Sequence, residues 1–387
     1  MVHEYYPEDT RVRWQARLLG ELGLAVTVVC LRGRGQERRG WHENVAVRRL
    51  PVARHRGAGC LVYFLEYVSF AIAALVCTTR LALVSRPELV IVSTIPDFLA
   101  LAALPAKLTG ARVILDMHEL FPELLAARYG LHRGHHVLKI ARLVERLATH
   151  LADHVITANE TIAAVVCERC DLPARRVSAA VTSIQVDGLA KRREDVQREH
   201  PTTLIYHGKL IDEYDVEGVI RALGVLVDEG LREFRLEVYG KGPRLDSCLA
   251  AAERLMDREY VTFHEYVSHE EVLDAVMRAD AGVVPLSDSP YTEVCLPRKL
   301  LELAALEVPI IAPRKANLCK YFPGEAVCYY DGTTEGSLVE ALRCILTDHE
   351  LRQELAKRGA EAYRRISATQ MDSSFKESVA RTLCAHQ

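Results

Sequence analysis

The chain has 387 residues, 49% of them apolar and 26% charged, with a net charge of −3. That is the composition of a soluble globular protein too long for one hydrophobic core, so two domains are expected. The near-neutral total hides a split: residues 1–190 carry 23 Lys and Arg against 18 Asp and Glu, the remainder 26 against 34. The eleven cysteines are scattered and odd in number, which argues for reduced thiols. No charged leader followed by an apolar core and a small-residue cleavage site opens the chain, so a cytoplasmic location is expected. Cys167 and Cys170 form a single CxxC without a second pair or nearby His, and this favours chance placement over zinc or redox work.

The opening Met1-Val2-His3-Glu4 is short for a first strand, so either the true start lies upstream or the strand is a stub, and low stability or poor solubility is expected of the chain as written. Short β-rich runs at 25–30, 45–50, 88–93, 111–116, 154–157 and 177–181 then alternate with helical pattern at 12–22, 98–108 and 136–151. Residues 191–201 are charged and almost free of apolar side chains, and read as a linker between a first domain of 1–190 and a second of 202–366. The alternation restarts with strands at 203–206, 235–239, 261–263, 281–284, 308–311 and 326–329. Two doubly wound α/β domains follow, with ligands expected at the carboxyl ends of their strands.

Residues 61–84 contain only Glu66 and Arg80 as charges, a length that suits a bilayer span, yet they fall between two strands of one domain. Just before them, 32–56 holds eight arginines against Glu37 and Glu43. The pairing of a basic loop with an apolar helix predicts either peripheral contact with an anionic membrane through 32–84, at its inner face, or a helix buried against the sheet. The basic run lacks interleaved aromatics, so nucleic acid is not expected as a partner.

The most informative stretch runs from Val283 through Leu296-Pro297-Arg298-Lys299-Leu300-Leu301-Glu302 to Pro309-Ile310-Ile311. Proline fixes φ near the helical value and gives up an amide that the first turn cannot use, so a helix should start at Leu296-Pro297. The positive end of that helix, with Arg298 and Lys299 beside it, suits a diphosphate. Glu302 shares the face of both cations and can accept from a pair of ribose hydroxyls. The alternative is a buried helix with a solvated first turn and a Lys–Glu surface pair.

These motifs, taken with Tyr6-Pro7-Glu8-Asp9-Thr10-Arg11-Val12, Pro96-Asp97-Phe98, Leu115-Asp116-Met117-His118-Glu119, Thr157-Ala158-Asn159-Glu160, Tyr206-His207-Gly208, Tyr239-Gly240-Lys241-Gly242-Pro243 and Ala279-Asp280-Ala281-Gly282, resemble the retaining glycosyltransferases of family four over nearly the whole chain. The resemblance implies the GT-B fold, an α/β architecture of two Rossmann-like doubly wound domains facing a central cleft, with a last helix in 367–387 returning to the first domain. It implies transfer of a sugar from a nucleotide diphosphate donor, UDP favoured, to a hydroxyl of a glycan, a lipid-linked or a small-molecule acceptor. The configuration would be retained, with no cofactor and no essential metal. Donor contacts would come from Gly208, Lys209, Gly240, Gly242, Glu293, Leu296, Arg298, Lys299 and Glu302, the two later glycines letting backbone approach the base or ribose. The implied catalytic groups are His118, on the transferred sugar, with Glu119 and Lys209; Arg11, Asn159 and Glu160 fall on the acceptor side. For His118 the alternative is a structural histidine satisfied by Asp116.

Some positions depart from the family pattern. Val294 stands where many relatives have a glutamate eight residues before Glu302, Glu213 and Asp215 stand where an arginine and a glycine are common, and Glu265 and Glu307 stand where glycine is usual. Glu307 is the sharper case, since a helix ending there favours glycine. These keep open an inactive homologue serving as a binding or scaffolding partner, and a GT-B epimerase acting on the nucleotide sugar alone is a further alternative.

Overall fold

The structure is a computed structural model that describes residues 1–55, 59–132, 134–182, 184, 201–255, 260–265, 267–334 and 336–384. The chain divides into two compact units, Met1–Ser183 together with Ala368–Gln387, and Ile184–Ser367. The segment 191–200, read above as a linker, lies outside the described residues.

In the first unit, Asp9 starts α1 (Thr10–Glu21): its carboxylate accepts from the Arg11 and Val12 amides at 2.9 and 3.3 Å. Strands β1 (Thr27–Leu31), β2 (Arg39–His42) and β3 (Val45–Leu50) form a small sheet in the order β1-β3-β2, with β2 antiparallel to β3. After α2 (Cys60–Val84) and β4 (Leu89–Ser93), a 3₁₀ helix (Asp97–Ala103) runs into α3 (Leu104–Leu108). Then follow β5 (Arg112–Met117), α4 (Phe121–Tyr129), α5 (His136–Leu151), β6 (His154–Thr157), α6 (Glu160–Cys170) and β7 (Val177–Ala179). Strands β4-β5-β6-β7 form a parallel sheet.

Residues 1–4 lie between these two sheets. The Val2 amide donates to the Val29 carbonyl at 3.0 Å and the Leu31 amide to Glu4 at 2.9 Å, while the Ser93 amide donates to Met1 at 2.9 Å. The short opening segment therefore seats between β1 and β4.

The arginine-rich stretch is not a free basic loop. It contains the β2 edge strand; Arg54 is ion-paired with Glu4, and Arg32 and Arg49 donate to the carbonyls of Gln36 and Glu37 at 2.9 and 3.4 Å. Nor does α2 stand apart from the unit. Its buried Glu66 accepts from the His55 amide at 2.7 Å and lies 3.1 Å from His3 Nε2, so the charge that the apolar run carries anchors it to this unit.

In the second unit one parallel sheet has the order β10-β9-β8-β11-β12-β13, from β8 (Thr202–His207), β9 (Phe234–Tyr239), β10 (Val261–His264), β11 (Ala281–Val283), β12 (Ile310–Pro313) and β13 (Cys328–Tyr330). Helices α7 (Val216–Asp228), α8 (Leu245–Leu255), α9 (His269–Arg278), α10 (Arg298–Ala305), α11 (Ala316–Tyr321), α12 (Ser337–Thr347) and α13 (His349–Gln370) connect or follow the strands. Leu204, Leu236, Phe234, Leu223 and Ile345 form its core, all buried. Side chains of this size contribute about 1.5–3 kcal/mol each when fully buried.

The last helix, α14 (Asp372–Cys384), belongs to the first unit and packs on β5, β6 and β7. Its Ser374 hydroxyl donates to the Ala179 carbonyl at 2.7 Å, and the Trp14 indole donates to Asp372 at 2.7 Å.

Candidate functional site

The second unit presents its polar chemistry at the strands' carboxyl ends. The segments that follow β8 and β11, with the ends of β12 and β13, line a cavity of about 700 Å³ whose walls include Tyr214, Asp215, Arg244, Asp288, Lys315 and Asp331 but neither Lys299 nor Glu302. Helix α10 begins one residue later than the sequence suggests, with Pro297 as its N-cap. Both Lys299 and Glu302 are buried, so the surface-pair reading of this helix fails.

Lys299 is the unusual group. Its ammonium donates to the Tyr206 hydroxyl at 3.0 Å and lies 4.2 Å from the centre of the Tyr206 ring and 3.4 Å from that of Tyr214. Among the described residues no carboxylate lies within ion-pair distance of it. Burial holds its pKa well below the ordinary lysine range, despite the attraction of Glu302. Gly208 makes room for it: with φ +128°, a Cβ there would lie 2.8 Å from Nζ.

Glu302 has the opposite surroundings. It accepts from Arg298 Nε at 2.8 Å and His207 Nε2 at 3.0 Å, with His269 at 3.4 Å. Burial alone would raise its pKa, but His207, Arg298 and His269 outweigh that and bring it to about 2. His207 and His269 beside Glu302, and Tyr206 and Tyr214 beside Lys299, are neighbours that sequence reasoning missed. His269 opens a helix whose start carries a capping box between Ser268 and Glu271, so it reads as an ordinary first-turn residue.

Other expected donor residues are placed differently. Lys209 is exposed, and its carbonyl accepts from the Tyr206 hydroxyl at 2.5 Å. Gly240 and Gly242 admit no side chain: a Cβ on Gly240 would fall 2.1 Å from the Gly208 carbonyl oxygen and one on Gly242 2.0 Å from that of Leu210, so packing within the unit by itself requires glycine at both. Glu293 pairs with Lys315 at 2.7 Å, and Lys315 also holds Asp288. Leu296 is half-buried in the turn before α10. Among the departures, Asp215 caps α7 by accepting from the Gly218 amide at 2.8 Å, which is why a carboxylate replaces glycine there. The carbonyl of Glu213 accepts from the Ser287 amide at 3.1 Å.

In the first unit, β5 delivers Asp116 and His118 from one strand end. Asp116 Oδ2 receives His118 Nε2 at 2.6 Å, Gln15 at 2.7 Å and Ser93 at 3.1 Å. Burial would push this carboxyl up; His118, Gln15 and Arg11 outweigh it and hold Asp116 below its ordinary range. Glu119 and Arg11 lie in the same electrostatic neighbourhood, and Arg11 also reaches Asp9 at 3.4 Å. Asn159 is fully buried as the N-cap of α6, accepting from the Ile162 amide at 2.9 Å, so its side chain is used by the fold; Glu160 follows it at the first turn, half-buried. Among the described residues no group of three or more His, Cys, Asp or Glu is placed to hold a metal ion.

The fold defines a two-domain α/β protein, each domain doubly wound, with the Lys299 and Glu302 clusters in the second. Its sequence matches the family models described as "Glycosyl transferase 4-like domain" over residues 9–179 and "Glycosyl transferases group 1" over residues 189–362. The chain belongs to the group 1 glycosyltransferases and has their GT-B fold. Solved structures agree in fold. Sucrose-phosphate synthase from Thermosynechococcus elongatus superposes with a TM-score of 0.76 at 16% identity, over 100% of this chain and 96% of that one. The catalytic domain of starch synthase IV from Arabidopsis thaliana, bound to ADP and acarbose, gives 0.69 at 13% identity over 99% and 98%. WaaG, a glycosyltransferase involved in lipopolysaccharide biosynthesis, gives 0.68 at 16% over 99% and 98%. Among curated proteins, none matches the sequence significantly.

Proposed function

We propose that the protein is a retaining, metal-independent glycosyltransferase that takes its sugar from a nucleotide diphosphate donor, UDP favoured, and passes it to an acceptor hydroxyl. The observation that carries this reading is Lys299: a buried amine, boxed by two tyrosines at the start of a helix, with no carboxylate in contact among the described residues. A diphosphate supplies the missing negative charge. As the glycosidic bond to phosphate breaks, charge grows on the leaving oxygen, and Lys299 with the helix amides stabilises it without a divalent ion.

Glu302, kept ionised by its three partners, still has lone-pair capacity for a ribose hydroxyl. His118 is oriented by Asp116 through Nε2, and Nδ1 is left to meet a sugar hydroxyl. A neighbour of the same fold binds ADP, which supports a nucleotide diphosphate as the ligand class. The capping role of Asp215 favours a working site over a decayed one, since this departure is explained by the fold. A cytoplasmic location, with access to nucleotide sugars, belongs to the same proposal.

The test is calorimetric titration with UDP, GDP and dTDP in the absence of metal, followed by the same titration of Lys299→Met. Micromolar binding of one nucleotide, weakened ten- to a hundredfold in the variant, is the expected result, equivalent to about 1–3 kcal/mol for a lost charge-assisted hydrogen bond. Equal affinity in both proteins, or no binding at all, overturns the site. Turnover of the matching donor sugar without any acceptor would point to epimerisation, and NMR of the product anomer decides retention.

A further inference from the structure

We propose that nucleotide diphosphate binding carries a proton into the second unit: Lys299 is a neutral amine in the free protein and becomes an ammonium only as the diphosphate arrives. This rests on the reading of Lys299 as the counter-charge of the donor, and adds the protonation state from which it starts.

The surroundings of Nζ suit an amine better than an ammonium. An ammonium has three N–H donors and no lone pair. Lys299 is only 7% exposed, and among the described residues its one hydrogen-bond partner is the Tyr206 hydroxyl at 3.0 Å. Two donors of an ammonium would be left without an acceptor, beside the rings of Tyr206 and Tyr214, whose centres lie 4.2 and 3.4 Å away. Ring faces return part of what a cation loses on leaving water, and not all of it. Nor is the Tyr206 hydroxyl a counter-ion. It donates its own proton to the Lys209 carbonyl at 2.5 Å, and burial raises its pKa well above the ordinary phenol range, so it stays neutral.

The charges that face Lys299 do not supply the missing anion either. On its own helix Glu302 attracts it, but that carboxylate is held by Arg298, His207 and His269. The segment before α10 contributes the Cys295 thiol, and the end of β8 contributes Lys209, whose charge repels a second ammonium. Burial outweighs the attraction of Glu302 and holds the Lys299 pKa well below the ordinary lysine range.

A diphosphate reverses this balance. It brings negative charge to the amine and lone pairs to the donors that the protein leaves unpaired, so the protonated form is favoured once the nucleotide is bound. The amine, one proton from solvent and the diphosphate give an ammonium–diphosphate pair, and release of the nucleotide returns the proton. Donor affinity is thereby linked to pH, and falls as pH rises through the range in which the free amine is unprotonated.

The experiment is calorimetric titration of the full chain with UDP, GDP and dTDP at pH 8 and 9, in buffers of different ionisation enthalpy, which counts the protons exchanged. At both pH values the terminal phosphate of the free nucleotide is already ionised and takes no part in the count. Uptake of close to one proton per nucleotide is expected at pH 9, with affinity falling by up to about tenfold from pH 8 to 9. In Lys299→Arg, whose guanidinium cannot lose its proton, whatever binding remains should proceed without uptake. NMR of the lysine Cε groups gives a second readout that needs no arginine to fit beside Gly208: the Lys299 resonance, identified by its absence from Lys299→Met, should be that of an amine in the free protein at pH 9 and of an ammonium once the nucleotide is added. Binding without uptake at either pH, or an ammonium in the free protein at pH 9, overturns the inference and leaves the donor reading standing. Uptake that persists in Lys299→Arg assigns the proton to His207 or His269 and overturns it as well. Binding of none of the three nucleotides defeats the donor reading, and this inference with it.

Discussion

Each unit buries a glutamate against an arginine, and the two carboxyls end up far apart. Glu302 in the second unit is brought to about 2, while Glu145 in the first is pushed up to about 7. Burial raises both and cannot separate them. The number of cations per carboxylate does: Glu302 has Arg298, His207 and His269 to itself, whereas Glu145 shares Arg169 with Glu123, and the buried Asp97 lies nearby. Neither oxygen of Asp97 has a hydrogen-bond partner among the described residues, and burial raises its pKa well above the carboxylate range. The lesson concerns Lys299 as well. Glu302 keeps three partners within the protein, whereas among the described residues no carboxylate lies within ion-pair distance of Lys299, and burial holds its pKa well below the ordinary lysine range.

The comparison breaks hardest at the arginines. Arg169→Met removes the cation that Glu123 and Glu145 share, and should cost about 3–5 kcal/mol, the scale of breaking a buried pair. Arg298→Met leaves Glu302 with two histidines and removes a partly exposed i,i+4 pair, so about 1 kcal/mol or less is expected. Urea unfolding of both variants measures the difference, and equal losses would refute the cation-counting account.

A finer test uses pH. Glu145 binds its proton more tightly folded than unfolded, so its contribution falls as pH rises from about 4.3, the unfolded value, to about 7. Glu302 has the reverse sign: its contribution is fully present above about 4.3 and is lost as pH falls toward about 2. Glu145→Gln should therefore flatten the decline in stability between pH 5 and 7.5 and leave the acid limb unchanged. Unfolding at pH 3, 5 and 7.5 reads both limbs; an unaltered slope above pH 5 in the variant contradicts the assignment.

The smallest effect concerns a third glutamate, Glu307, just past the C-cap of α10. Its φ of +57° is a left-handed conformation that glycine adopts without strain, and its half-exposed carboxylate lies 3.6 Å from Arg364. Glu307→Gly should stabilise the chain by about 1 kcal/mol, seen as a rise of a few degrees in Tm, because the surface pair contributes less than the backbone strain. A fall in Tm would mean that the Arg364 pair outweighs the strain.

Much of the fold was legible because its signals are local. Alternating β-rich and helical runs located most strands, and Pro297 located α10. The antiparallel strand β2 was hidden, since Arg39 and Gly40 give it no apolar alternation and its stability comes from pairing with β3. The span 98–108 reads as one helix but is a 3₁₀ helix followed by a single α turn. At the site, Lys299 and Glu302 were found from helix spacing. The tyrosine box, the Glu302 histidines and the backbone packing against Gly240 and Gly242 were not, because each depends on residues 30 to 95 positions apart meeting across β8, and no local pattern records that meeting.

The return of α14 to the first unit has a consequence for biosynthesis. A ribosome releases β5, β6 and β7 early, but the helix that covers them, with Phe375 against Trp14 at 5.2 Å between ring centres, is translated only after the whole second unit. At roughly 5–20 residues per second the nascent sheet waits about 10–40 s with that apolar face bare. The second unit thus has all its parts first, and the first unit, though begun earlier, is completed last.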